Sequence, residues 1–149
     1  IPTDGSVLST QSANKGICFA KKVGAEVVAL HVRQPFAATV GFDGMAAAYA
    51  ITDEDYDKTA AEQAQKYLKA VTDRAETAGV KVQAVSATNF NVADGVVQAA
   101  EEHGCDLIFI GSHGRSGLSR LLLGSVTAKV LSLAKTAELV YRVKEDKDA

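Results

Sequence analysis

Short apolar runs, too brief for helices, alternate along this chain with longer segments whose apolar residues recur every three or four positions. That alternation restricts the fold more than any other feature. The runs are Glu26 to Val32 (EVVALHV), Val80 to Val85, Leu107 to Ile110 and Glu138 to Val143, and Ile1 to Thr3 reads as the end of a first strand. Between them the pattern predicts helices from Ser6 to Val23, Thr52 to Ala78, Val92 to His103 and Ser125 to Ala134. Crossovers of this length join parallel strands and lay helices on both faces, with right-handed connections. The predicted fold is α/β: a three-layer open sheet of five parallel strands in a single domain spanning all 149 residues.

The helix boundaries are marked chemically. Ser6, Thr52 and Asn91 are N-cap residues, Asp53-Glu54-Asp55 place acids where a helix dipole favours them, and Lys21-Lys22 close the first helix. Gly24, Gly79 and Gly104 supply exits. Tyr56, Ala60, Ala64, Tyr67, Val71 and Ala75 form the expected buried face of the long second helix. The irregular stretch from Gln34 to Thr52 carries Pro35, Gly41 and Gly44 among apolar residues, the mark of a functional or mobile loop that folds partly as a short helix. The charged tail from Lys144 to Ala149 reads as frayed. A strand that opens at Ile1 with so few residues predicts further apolar residues upstream.

Composition narrows the partners. A net charge of -2 argues against a general nucleic-acid or membrane-surface binder, and no apolar run approaches the ~20 residues of a membrane span. No signal-peptide pattern is present. Cys18 and Cys105 lie far apart in apolar contexts, which predicts buried thiols in a reducing, cytoplasmic compartment.

The chemistry concentrates between Asp106 and Lys129, DLIFIGSHGRSGLSRLLLGSVTAK. A strand delivers the backbone into a loop containing Gly111, Gly114, Gly117 and Gly124, and Gly124-Ser125 opens a helix. Converging N–H groups and the helix dipole suit a phosphate there. No acid occurs between Leu107 and Ala137, while Arg115, Arg120, Lys129 and Lys135 add positive charge. Gly114 and Gly124 admit backbone close to phosphate oxygens, and Ser125 offers a hydroxyl and an N–H. In an open parallel sheet ligands sit beyond the carboxyl ends of the strands, which makes Pro2-Thr3-Asp4-Gly5-Ser6 the partner loop. Taken singly, each residue also has a plain reading: Asp4 or Ser125 as a helix cap, Gly111 and Gly117 as turn glycines, Arg115 and Arg120 as solvated charges. A Walker A sequence and a GxGxxG fingerprint are both absent. His31, His103 and His113 share no metal-ligand spacing, no serine has an evident triad, and capping explains the acids around Asp53. A scaffold role is the expectation for His113.

Gly111, two residues, Gly114, nine residues, then Gly124-Ser125 resembles the ATP-binding signature of the universal stress protein family. The likeness extends to PTDGS at Pro2 to Ser6, to the strand ending His31-Val32, and to the element order over nearly the whole chain. The resemblance implies strand order 3-2-1-4-5 and a bound ATP, with AMP or ADP as alternatives and magnesium as companion. It implies that Thr3, Asp4 and the Val32 backbone hold the adenosine, with Pro2 and Ile110 beside them and Gly111 near the ribose. Gly114, Arg115, Gly124, Ser125, Val126 and Thr127 would surround the phosphates. It further implies a homodimer through the strand Glu138 to Val143, although Ala137 and Glu138 replace the family's usual proline and apolar residue. The loop Ser86 to Asn91 also departs, with Asn89 and Asn91 in place of an expected glycine.

Only Asp4 stands near as an acid, so binding with slow or negligible hydrolysis is the expectation, in a cytoplasmic stress-response sensor rather than an enzyme. Alternatives of other kinds are a nucleotide-free dimerisation module and a slow nucleotide-using enzyme whose substrate loop is Gln34 to Thr52.

Overall fold

A computed structural model describes residues 1–39, 52–114 and 123–142. Along the chain these form α1 (Val7–Val23), β1 (Val27–Arg33), α2 (Phe36–Thr39), α3 (Asp53–Ala78), β2 (Val82–Thr88), α4 (Val92–Glu102), β3 (Leu107–Gly111), α5 (Ser125–Leu133) and β4 (Ala137–Tyr141). Most of the 34–52 stretch, Arg115 to Leu122, and the tail from Val143 lie outside the described residues.

β1 and β2 run parallel, with Val27 opposite Val82 and Arg33 opposite Thr88. β3 and β4 are likewise parallel, with Leu107 opposite Ala137 and Gly111 opposite Tyr141. Ile1 to Thr3 attaches to β1: Thr3 N–H donates to the Leu30 carbonyl at 2.8 Å and Leu30 N–H to the Ile1 carbonyl at 3.0 Å, a parallel bridge between Pro2 and Leu30. Among the described residues the strands therefore form two two-stranded ladders with Ile1 to Thr3 bridged onto one of them. The architecture is α/β with parallel strands, and the five-strand order is not traced through them.

β1 explains why helices cover both sides. Side chains alternate along a strand, and Val27 and Ala29 join Ala13, Ile17 and Ala20 of α1 and Leu68, Val71 and Ala75 of α3 in one buried cluster. Leu30 and Val32 join a second cluster with Val96, Ala99 and Ala100 of α4, Ile108 and Ile110 of β3, and Val130 of α5. Close packing of α4 depends on Gly95, where a Cβ would lie 2.7 Å from a Val32 methyl.

The caps are those the sequence marks. The Ser6 hydroxyl accepts from Ser9 N–H, Thr52 from Asp55 N–H, and Asn91 from the N–H groups of Ala93 and Asp94. The strand expected over Val80 to Val85 instead spans Val82–Thr88, because Val80 is tied back to the last turn of α3. Its N–H donates to the Ala75 carbonyl at 2.9 Å while Gly79 takes a left-handed φ of 71°, and its side chain packs back into the first cluster. Nor are both cysteines buried: Cys18 is exposed, because the buried stripe of α1 runs through Ala13, Gly16, Ile17 and Ala20 and leaves position 18 outside, and Cys105 is half-buried. On α3, Ala64, Val71 and Ala75 are buried as expected, but Tyr56, Ala60 and Tyr67 are only half-buried. They wall a cavity instead. Phe36–Thr39 is the short helix anticipated within the irregular stretch.

Candidate functional site

The chain leaves Ile1–Thr3 through a turn built by its own side chains. Asp4 Oδ1 accepts the Ser6 N–H at 3.0 Å, Thr3 Oγ1 accepts the Gly5 N–H at 3.2 Å, and Thr3 Oγ1 lies 3.2 Å from Ser9 Oγ. Gly5 takes a left-handed φ of 74° with the Tyr67 ring directly against its α-carbon, where no Cβ fits. His31 Nδ1–H donates to the Thr3 carbonyl at 2.8 Å, and its ring meets the edge of Tyr67 at 5.2 Å. The turn is thus fixed from α1, β1 and α3 together. Asp4 serves the turn, whereas the cap of α1 is Ser6.

Facing it is the end of β3. The Gly124 N–H donates to the Ser112 carbonyl at 2.8 Å and Thr127 Oγ1 to the Gly111 carbonyl at 2.8 Å, tying the start of α5 to the strand's exit. Gly124 occupies the N-cap position of α5 and has no side chain to cap it. Ser125, Val126 and Thr127 therefore open the helix with N–H groups that the helix itself does not use. Two glycines here are sites of close approach. A Cβ on Gly114 would lie 2.5 Å from Asp4 Oδ2, and one on Gly124 would lie 3.2 Å from the Ser112 carbonyl oxygen and 3.4 Å from His113 Cα.

Between the turn and the helix lies a cavity of about 590 Å³. Pro2, Thr3, Asp4, Val32, Ile110, Gly111, Gly114, Gly124, Ser125, Val126 and Thr127 all line it. Of the residues that the resemblance assigns to the nucleotide only Arg115 is missing, and it lies outside the described residues. Thr127 is buried with its hydroxyl already committed to Gly111, so what it can offer a ligand is its backbone N–H.

Periodicity assigned three residues of one wall, Tyr56, Ala60 and Tyr67, to the core. Tyr56, Thr59, Ala60, Gln63 and Tyr67 of α3 line the cavity, as do Val92 and Val96 of α4 and His113. The available signal was polarity on an otherwise apolar stripe: Thr59 and Gln63 stand beside Tyr56, Ala60 and Tyr67, on a face that turns fully apolar only from Ala64 onward. Asp4 is the only acid on the cavity wall among the described residues. Nor do those residues include any group of three histidines, cysteines or acids able to hold a metal ion by themselves.

Parallel strands covered on both sides, with a cavity where β1 and β3 end, define an open-sheet α/β ligand-binding protein. The chain belongs to the universal stress protein family, whose model, described as Universal stress protein family, matches residues 1–142. It is 36% identical over 144 residues to the universal stress protein MJ0531 of Methanocaldococcus jannaschii, covering 95% of this chain and 79% of that protein. The structure is similar to that of MJ0577 from the same organism, with a TM-score of 0.78 and 26% identity over 97% of this chain and 94% of that one. Two further solved structures share the fold. One is a universal stress protein in complex with cAMP, at TM-score 0.66 and 23% identity, covering 97% of this chain and 94% of that chain. The other is a family protein from Arabidopsis thaliana with AMP bound, at TM-score 0.64 and 16% identity, covering 100% and 93%. Among the described residues no helix is long and apolar enough to cross a membrane.

Proposed function

We propose that this chain binds an adenine nucleotide in the cavity between the Thr3-Asp4 turn and α5, with ATP as the ligand and AMP or ADP as alternatives. The observation that carries the reading is the meeting of an uncapped helix N-terminus and two side-chain-free approaches, Gly114 and Gly124, on one cavity. The cAMP and AMP complexes of proteins with this fold support it. In this reading the phosphates lie against Gly114, Arg115, Gly124, Ser125, Val126 and Thr127, and the adenosine lies toward Pro2, Thr3, Asp4, Val32, Ile110 and Gly111. The strands that carry the site run on in a single sheet of order 3-2-1-4-5, all within one domain. Magnesium fits only as the nucleotide's companion, with phosphate oxygens and water as most of its ligands and Asp4 as the one nearby carboxylate.

The bound nucleotide acts as a signal in the cytoplasm rather than as a fuel. Hydrolysis needs a positioned water and a base. Asp4, the single acid on the wall among the described residues, already accepts a hydrogen bond from Ser6. The protein works as a homodimer through the edge of β4, whose pairing with β3 occupies one side of the strand.

The test is to denature purified protein and identify released nucleotide by mass spectrometry, then to titrate nucleotide-stripped protein with ATP, ADP and AMP by calorimetry. Absence of both bound nucleotide and binding heat rules the reading out and leaves the nucleotide-free interaction module. Turnover faster than a few per minute, lost in Asp4→Ala, overturns the non-enzymatic part.

A further inference from the structure

Tyr67 meets the His31 ring at 5.2 Å, and further toward the start of α3 the Tyr56 O–H donates to the Gln34 carbonyl at 3.2 Å. These two contacts clamp α3 over the end of β1. Between them lie Arg33 on the strand and Gln63 on the helix, both on the cavity wall. Side chains alternate in face along a strand. Val27 and Ala29 pack with α3 and His31 meets it, so Arg33 continues the face that looks toward that helix. Gln63 stands one turn before Tyr67 on the same side of α3.

The neighbouring polar groups are committed. Gln34 Nε2 donates to the Phe90 carbonyl at 3.0 Å, and the Thr59 hydroxyl donates to the Asp55 carbonyl at 2.9 Å, which leaves it only lone pairs to offer. Arg33 and Gln63 differ. Among the described residues neither side chain has an ion pair or a hydrogen bond. Arg33 Nε is buried, but the terminal nitrogens of Arg33 and the Gln63 amide keep accessible surface. Arg33 is also the only lysine or arginine on the described wall, while Asp53, Glu54, Asp55 and Asp57 of α3 are exposed and lie off it. A half-buried guanidinium without a counter-charge favours an oxyanion, whose oxygens match its fork of N–H donors, and an adjacent amide adds a further donor. This lobe is separate from the N-terminus of α5. Pro2 bridges to Leu30 of β1 and Asp4 faces Gly114, so the Thr3-Asp4 turn stands between the two.

We propose that Arg33 and Gln63 form a second oxyanion subsite in this cavity, which takes a carboxylate or phosphate group beside the adenosine position. Arg33 pairs with the oxygens through its terminal nitrogens and Gln63 donates from its amide; no bond is made or broken. The oxyanion belongs either to a separate small acid or to a substituent of the nucleotide itself. The subsite goes beyond the nucleotide reading and does not rest on it.

The test is calorimetric titration of succinate and of inorganic phosphate into AMP-saturated protein, in which the α5 end is already occupied. Wild type, Arg33→Gln, Arg33→Lys and Gln63→Leu are compared, each first checked for a cooperative thermal transition. Wild type should bind the anions, and Arg33→Gln should weaken that binding about tenfold or more, with AMP affinity falling far less. Arg33→Lys keeps the charge without the fork and Gln63→Leu keeps the fork without the amide, so each should show a smaller loss. A parallel arm compares adenosine 3′,5′-bisphosphate with AMP. An Arg33-dependent gain for the bisphosphate assigns the oxyanion to the nucleotide, and anion binding without that gain assigns it to a separate acid. Wild type that neither binds the free anions nor gains from the extra phosphate overturns the proposal. So does anion binding that Arg33→Gln leaves intact, or an equal loss of AMP affinity in that variant, which assigns Arg33 to the nucleotide. Should Arg33→Gln fail to fold, Arg33→Lys and Gln63→Leu decide in the same way. Wild type that binds no AMP overturns the nucleotide reading alone, and Arg33-dependent anion binding to the free protein then decides the subsite.

Discussion

Gly114 and Asp4 face each other so closely that a single methyl group at position 114 would lie 2.5 Å from Asp4 Oδ2. One belongs to the exit of β3 and the other to the turn after Ile1–Thr3, so here the two loops that line the cavity come close together. Gly114→Ala should push the carboxylate away and strain its hydrogen bond to Ser6. The expected outcome is a loss of nucleotide affinity of about tenfold or more by calorimetry, with far-ultraviolet circular dichroism unchanged.

Thr127→Val keeps the shape of a buried side chain but removes the hydroxyl that binds the Gly111 carbonyl at 2.8 Å. Stability should fall by about 1–2 kcal/mol in urea denaturation. The N-terminus of α5 loses an anchor, so AMP affinity should fall with it. Thr127→Ser, which keeps the hydroxyl, should retain AMP affinity.

Gly5→Ala meets two obstacles. The backbone is left-handed and the Tyr67 ring occupies the space a Cβ needs. The first costs about 1–2 kcal/mol and the second about 1–3 kcal/mol. A loss of stability in urea denaturation no larger than the backbone cost alone would show that the ring yields readily.

Glu138 carries a pH prediction. Desolvation raises its carboxyl above the ordinary value of 4.5, and Oε2 is buried without a partner. The folded chain thus favours the protonated form, and the charged form weighs against folding at every pH above the folded pKa. That penalty fades as pH falls through the window just above 4.5 and is gone below it. Glu138→Gln should melt higher than wild type at neutral pH, and the difference should vanish on acidification. In the proposed dimer the same substitution removes two facing charges, so light scattering at micromolar concentration should show a tighter dimer.

Where the sequence was legible, local chemistry and fold agreed. Ser6, Thr52 and Asn91 cap the helices they precede, and Gly24 and Gly79 end theirs in left-handed geometry. The two loops flanking the cavity were recognisable because glycine and helix-start residues have few other uses at such spacing. Strand ends were less clear. Val80 and Val82 both suit a strand, and what decides between them is the Ala75 carbonyl that takes the Val80 N–H, an interaction with no pattern of its own. The α3 wall was misread as core because a residue lining a cavity and one packed in an interior show the same spacing.

β1 has a bearing on how this protein can be cut and joined. Its seven residues lend alternate side chains to both interior clusters, one shared with α1 and α3, the other with α4, β3 and α5. A fragment ending before α4 would leave Leu30 and Val32 wet, and one beginning after β1 would strip Val27 and Ala29 from the helices they complete. The two halves are therefore not interchangeable parts. A chimera that swaps either half for a relative's must bring β1 and the helices on both its sides as one block, or redesign a strand that answers to two interiors at once.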